Sequence, residues 1–247
     1  MIRANTLCKS FVDKGGSVAA VKGVSFEAND GEITGLLGPN GAGKTTTLRM
    51  LYTLMQPDSG HIEIDHINTR QAPTAARKRL GVLPDARGIY KRLTARENIA
   101  YFGRLHGLNE AVITERIQAL AHTLVMEDFL DRRCEGFSQG QRTKTAIARA
   151  LIHQPRNIIL DEPTNGLDVM TTRRLRYFLQ ALRADGHCII LSSHIMQEVA
   201  ALCDRIVIMA KGEIRASGSP DELRQQTGLN DLEEVFICLA ELEEKNA

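Results

Sequence analysis

The chain has 247 residues, with 31 Lys and Arg against 30 Asp and Glu, giving a formal net charge of +1. That balance argues against a general nucleic-acid binder, which carries a basic excess, and 43% hydrophobic residues exclude a disordered chain. No apolar run approaches the roughly 20 residues of a membrane-spanning helix. The opening MIRANTLCKSF has no charged start followed by an apolar run, which reads as no signal peptide. Trp is absent and aromatics make up 4%, so aliphatic side chains must build the core. Five cysteines (Cys8, Cys134, Cys188, Cys203, Cys238) lie without CxxC spacing and read as reduced thiols.

In chain order, β-type runs fall at 2–9, 18–26 and 33–37, and the last enters a Gly-rich turn and a helix over about 43–54. Further strands are predicted at 61–64, 80–83, 157–160, 188–191 and 206–209, with helices at 170–184 and 195–202 between them. Alternation of this kind predicts an α/β fold with a mostly parallel sheet. The N-terminal strands read as a small antiparallel layer packed on that sheet's edge. From about 94 to 150 there is only helical periodicity, as in 95–105 and 113–124, which reads as an inserted α-helical subdomain. The whole, 1–247, is read as a single domain with a short C-terminal helical extension at about 219–247. Charge is uneven: residues 70–104 carry nine basic and two acidic side chains, a local +7, whereas 213–247 carry three and nine, a local −6. The basic segment reads either as solvated surface or as a face for an acidic partner or anionic headgroups.

The strongest chemical signal is GPNGAGKT, Gly38 to Thr45, which satisfies G-x-x-x-x-G-K-[ST] between a strand and a helix. Gly38, Gly41 and Gly43 let backbone N–H groups curl around phosphate oxygens, and the helix N-terminus adds partial positive charge. Lys44 supplies a full charge to β- and γ-phosphates, Thr45 offers a hydroxyl to Mg²⁺, and Asn40 and Thr46 complete the binding loop. The apolar run 157–160 ends in Asp161 and Glu162. Asp161 is placed to orient the metal and Glu162 to polarise a water for attack on the γ-phosphate. No NKxD-type guanine-reading motif is present, so ATP rather than GTP is expected.

Between those halves lies FSQGQRTKTAIARAL, Phe137 to Leu151, which resembles the LSGGQ signature of ATP-binding cassette (ABC) proteins. The resemblance implies a P-loop NTPase fold and two such domains docked head to tail, each signature closing over ATP held by the other. Ser138, Gly140 and Gln141 would then reach the partner's nucleotide, while Phe137 and Gln139 depart from the usual Leu and Gly. Phe11 matches the aromatic that stacks on adenine, its alternative being an ordinary core Phe. Asp168, in Gly166–Leu167–Asp168, matches the loop contacting the opposite subunit, and His194 matches the switch histidine that senses the γ-phosphate. Asp85 stands where the family has a Gln; it would either ligate Mg²⁺ or simply cap the turn.

The family places its coupling surface here at 86–107, where Ile89, Tyr90, Leu93, Tyr101 and Phe102 would form an apolar groove. Around it stand Arg87, Lys91, Arg92 and Arg96. The resemblance is strongest to the exporter branch that includes sodium-extrusion (NatA-type) and drug-resistance subunits. It implies an ATP- and Mg²⁺-dependent homodimer on the cytoplasmic face of the cell membrane, driving a separate multi-spanning permease. Sodium is the first expected cargo, with drugs, lipids or polysaccharides next. The other reading is a soluble ABC ATPase outside transport. Such relatives carry a long inserted coiled coil or two fused cassettes, and neither is present in this sequence.

Overall fold

The computed structural model describes residues 1–13, 16–85 and 88–241. Strands β1 (Ile2–Asp13) and β2 (Gly16–Ala28) pair antiparallel and lead into β3 (Ile33–Leu37) and helix α1 (Lys44–Leu51). Then come β4 (Ser59–Ile64), β5 (Ile67–Asn68), α2 (Pro73–Lys78) and β6 (Leu80–Leu83). Helices α3 (Ala95–Leu105), α4 (Glu110–Leu124) and α5 (Gln139–Leu151) follow before the chain returns to the sheet. The remainder runs β7 (Asn157–Asp161), α6 (Val169–Ala184), β8 (Cys188–Ser193), α7 (Met196–Leu202), β9 (Arg205–Ala210), β10 (Glu213–Gly218), α8 (Pro220–Thr227) and α9 (Leu232–Glu241).

Two sheets result. The first has the order β2-β1-β4-β5 and is antiparallel; the second has the order β10-β9-β3-β8-β7-β6 and is parallel except for the β9–β10 hairpin at its edge. Strands β3, β7 and β8 are buried along their whole length, the reason their sequences ITGLL, NIILD and CIILSS show no polar alternation. The two faces of the parallel sheet bury different partners. Leu36, Ile159, Ile190 and Val207 pack with Leu48 of α1 and with Ile2, Leu7 and Ile62 of the antiparallel sheet. Leu37, Leu160, Ile189, Leu191 and Ile206 pack with the helices, including Ile99, Ile147 and Val199. The antiparallel sheet therefore closes over a face of the parallel sheet, with α1 in the shared core, and not at the edge as the sequence suggests.

Between β6 and β7 the described residues form helices and turns without a strand. Helix α3 starts at Thr94, whose hydroxyl accepts from the Glu97 N–H while Glu97 accepts from the Thr94 N–H. Buried Asn98 donates to the Tyr90 and Thr94 carbonyls and accepts from the Tyr90 N–H, so it fixes the loop entering α3. The register pairs Leu37 with Ser193, Asp161 with Ser192 and Leu83 with Leu160. The C-terminal ends of β3, β6, β7 and β8 thus finish nearly level along one edge, where parallel sheets place their ligands.

Candidate active site

The loop leaving β3 is shaped by what it approaches. A Cβ on Gly38 would lie 2.3 Å from the Met209 carbonyl oxygen, and Gly43 has φ +97° with the Ala20 carbonyl 2.5 Å from a Cβ's place. Gly43 is the N-cap of α1 and supplies no side-chain cap, so the first-turn N–H groups of that helix face the loop's concavity. Lys44 is nearly buried and donates to the Gly38 and Pro39 carbonyls at 2.6 and 3.0 Å. Burial pushes its pKa down, opposed by the charges of Glu162 and Asp161. Asn40 and Gly41 are exposed at the loop's tip, and Thr45 and Thr46 are half-buried behind it.

The ends of β7 and β8 lock together through one hydroxyl. Ser192 Oγ donates to Asp161 Oδ1 at 2.5 Å and accepts the Glu162 N–H at 3.0 Å. Glu162 adopts φ +49°, a left-handed conformation uncommon for a residue with a side chain and found where function holds it. Its Oε2 lies 2.9 Å from His194 Nδ1. Asp161 is buried beside the Thr45 hydroxyl, and among the described residues its Oδ2 has no partner in hydrogen-bonding geometry. Burial pushes its pKa up, Ser192 pulls it back, and the Asp85 and Glu162 charges raise it further. Ser192 was not singled out in the sequence; its signal is its place in SSH, two residues before His194.

A buried carboxylate next to the Thr45 hydroxyl, with one oxygen lacking a partner in hydrogen-bonding geometry among the described residues, fits a hard divalent cation. Among the described residues no cluster of three or more His, Cys, Asp or Glu is arranged to hold a metal. Mg²⁺ needs no such cage, because it keeps water and takes substrate phosphate oxygens alongside one or two protein ligands.

The remaining sequence-predicted residues lie around this centre. Phe11 is 40% exposed on β1, opposite Val18, and so is not a core side chain. Ser138 caps α5: its hydroxyl accepts the Gln141 N–H while Gln141 accepts the Ser138 N–H. Gln139 packs against Gly166, where a Cβ would come within 2.3 Å of it, and Gly140 faces the Gly166 carbonyl. Phe137 is buried edge-to-face on Phe129, with centroids 5.2 Å apart, so that departure from Leu is absorbed into the core. Asp168 caps α6 through the Thr171 N–H and hydroxyl, and Thr164 donates to Glu198 of α7 at 2.6 Å. The Asp85 carboxylate accepts from Arg49 of α1 at 2.7 Å, an ion pair that the sequence did not suggest.

Residues 21–165, more than half of the chain, match the family model described as ABC transporter. The chain belongs to the ABC transporter family. It is the ATP-binding subunit of a transporter, an ATPase cassette that binds ATP or ADP. It is 44% identical to the ABC transporter ATP-binding protein NatA of Bacillus subtilis, over 96% of this chain and 97% of that protein. The linearmycin resistance ATP-binding protein LnrL of the same organism is 34% identical, over 92% of this chain and 72% of its own length. A Nod factor export ATP-binding protein of Rhizobium is 39% identical, over 88% and 70%. A solved ATP-binding subunit of an ABC transporter superposes with a TM-score of 0.89 at 30% identity, covering 97% of this chain and 99% of that one. A dimeric bacterial ABC transporter cassette gives a TM-score of 0.83 at 25% identity, over 89% and 98%.

In the cassette's expected coupling segment, Ala86 and Arg87 lie outside the described residues. Tyr90 and Tyr101 are exposed and meet edge-to-face at 5.6 Å. Phe102, Ile89 and Leu93 are half-buried, and the Arg149 guanidinium stacks over Phe102 at 4.6 Å. Lys91 and Arg92 are exposed, whereas Arg96 is paired with Asp131. No helix among the described residues is long and apolar enough to cross a membrane.

Proposed function

We propose that this cassette hydrolyses ATP between two copies of itself and thereby drives export through a separate membrane subunit, with Na⁺ as the first candidate cargo. The carrying observation is the Glu162–His194 pair at 2.9 Å, set beside Lys44 and the unpaired Asp161 Oδ2. Likeness to NatA over nearly the full length of both chains supports the choice of cargo. The drug-resistance and Nod factor export relatives support export of a drug, lipid or polysaccharide as the second reading.

In this reading Phe11 stacks on adenine, while the N–H groups of residues 38–46 and the Lys44 ammonium hold the triphosphate. Thr45 and Asp161 would hold Mg²⁺, with Asp85 the further candidate ligand; when bound, the ion would neutralise charge on the phosphates. Glu162 takes the proton of a water aimed at the γ-phosphorus, and His194 fixes the carboxylate that does so. Ser138, Gly140 and Gln141 of the second copy meet the γ-phosphate from the other side, with Asp168 at the seam. The cassette then works on the cytoplasmic face of the cell membrane, its 88–107 surface against the permease.

Two measurements test this together. A tagged chain recovered from detergent-solubilised membranes should bring down one multi-spanning protein in stoichiometric amount; ribosomes or DNA in its place would overturn the transport reading. Inverted vesicles holding that pair should accumulate ²²Na⁺ with ATP, and not when the chain carries Glu162→Gln. Accumulation of a labelled drug, lipid or polysaccharide without Na⁺ would select the second reading.

A further inference from the structure

Among the sequence-predicted site residues, Asp85 is held in an ion pair with an arginine. Because Leu83 pairs with Leu160, the chain leaves β6 beside the end of β7, and Asp85 lies within electrostatic reach of Asp161. A third carboxylate there, alongside Asp161 and Glu162, opposes a polyphosphate, since like charges in a partly desolvated cleft repel strongly.

Arg49 supplies the compensation. It lies in the last turn of α1, the helix that begins at Lys44, and its Nη2 donates to Asp85 Oδ2 at 2.7 Å. The two side chains are 37% and 39% exposed, so the pair adds little to the stability of the fold. Its value lies in what it does to the field of the site. Behind it the Tyr52 hydroxyl is buried beside the same guanidinium, while Lys91 and Arg142 line the same pocket as Asp85; among the described residues the Arg49 ion pair is the direct contact of the Asp85 carboxylate.

We propose that Arg49 and Asp85 act as a single charge-compensated unit, with Arg49 the positioning residue that keeps the Asp85 carboxylate from repelling the nucleotide. The proposal rests on the reading of this edge as the ATP site. Without Arg49 the carboxylate would lose its paired cation beside Asp161, which weakens metal-free ATP binding and makes binding depend more steeply on Mg²⁺. Without Asp85 the free guanidinium would do the opposite.

The test is a double-mutant cycle in the full chain, reading ATP affinity by calorimetry in EDTA and in saturating Mg²⁺, with a thermal melt of each variant. Arg49→Gln should lose about tenfold in EDTA and less than about twofold in Mg²⁺, the size expected for one uncompensated charge at short range. Arg49→Lys should keep most of the parent affinity, and Asp85→Gln should gain a few-fold in EDTA, as expected of one bare cation near the phosphates. Arg49→Gln with Asp85→Gln should return to within about twofold of the parent, because coupled sites are non-additive. Strictly additive effects, or an Arg49→Gln loss equal in both buffers, would overturn the unit while leaving the ATP site intact. A parent chain that binds no ATP in either buffer would overturn the site itself.

Discussion

His194 Nδ1 and Glu162 Oε2 stand 2.9 Å apart, and Ser192, two residues before that histidine, receives the Glu162 N–H. One end of β8 thus grips Glu162 twice, once by its backbone and once by its carboxylate. The strained φ of +49° at Glu162 is held by this grip. Positioned in this way, the carboxylate has the fixed orientation that the proposed role as general base requires.

Glu162→Gln removes that basicity and keeps the shape. The amide still meets His194, so ATP affinity should stay within about twofold, whereas turnover should fall by about 10²–10⁴, the range for loss of a general base. His194→Ala should slow turnover as well, with Glu162 left loose. Single-turnover hydrolysis and equilibrium ATP binding, measured on the same preparations, check both. Undiminished hydrolysis by Glu162→Gln would remove it from the role.

Asp161 makes the nucleotide-free chain pH-sensitive in a stated direction. Its folded pKa is raised above 3.8 by burial, so on increasing pH the unfolded chain gives up its proton first. Stability should therefore decline as pH climbs from 3.8 toward the folded value and stay lowered once Asp161 is ionised in both states. Asp161→Asn removes the buried charge while keeping an acceptor for Ser192. The variant should melt about 2–4 °C higher at neutral pH, a gain on the order of 1 kcal/mol. Mg²⁺ should no longer strengthen its ATP binding. Melting curves across pH, with and without Mg²⁺ and ATP, decide this; an unchanged pH profile would mean that burial is not felt there.

Local patterns read well from the sequence, and long-range pairs did not. The buried run 33–37, the strand 80–83 and the helix 95–105 have the predicted bounds, because continuous apolar runs and a Thr–x–x–Glu cap are local signals. The two-residue β5 pairs only Glu63 with Asn68 and Ile64 with Ile67, too short to leave a period. The contacts of Ser192 with Asp161, Arg49 with Asp85 and Gln139 with Gly166 join residues 27 to 36 positions apart. They follow from strand order, which puts β8 beside β7 and α1 beside the end of β6, and no spacing rule encodes that order. The ATPase class was legible because the phosphate-loop pattern of residues 38–45 is itself a local signal.

Ser138 carries two separable duties. Its reciprocal bonds with Gln141 cap α5, so Ser138→Ala should cost about 1 kcal/mol and lower the melting temperature by about 2–4 °C. Ser138→Asp keeps an N-cap acceptor and should hold the melting temperature near the parent's. It nevertheless places a negative charge where the second copy's γ-phosphate is proposed to sit, so ATP-dependent dimerisation of Glu162→Gln should vanish when Ser138→Asp is added. Light scattering with ATP reads this against the melt. Dimers persisting with Ser138→Asp would put the signature loop away from the nucleotide.

Phe11 separates binding from folding most cleanly. With 40% of its surface in water and the exposed Val12 and Val18 for neighbours, it contributes little to the core. Phe11→Ala should therefore shift stability by less than about 0.5 kcal/mol. A ring that stacks on a base contributes about 1–3 kcal/mol, so ATP affinity should fall by about tenfold or more. Stacking is tolerant of base identity, so GTP should lose the same factor. Tripolyphosphate, which lacks a base but occupies the loop at residues 38–45, should bind the parent and Phe11→Ala equally. Equal losses for ATP and tripolyphosphate would show that Phe11 shapes the phosphate loop and does not hold adenine, and the β1–β2 hairpin would then belong to the phosphate site.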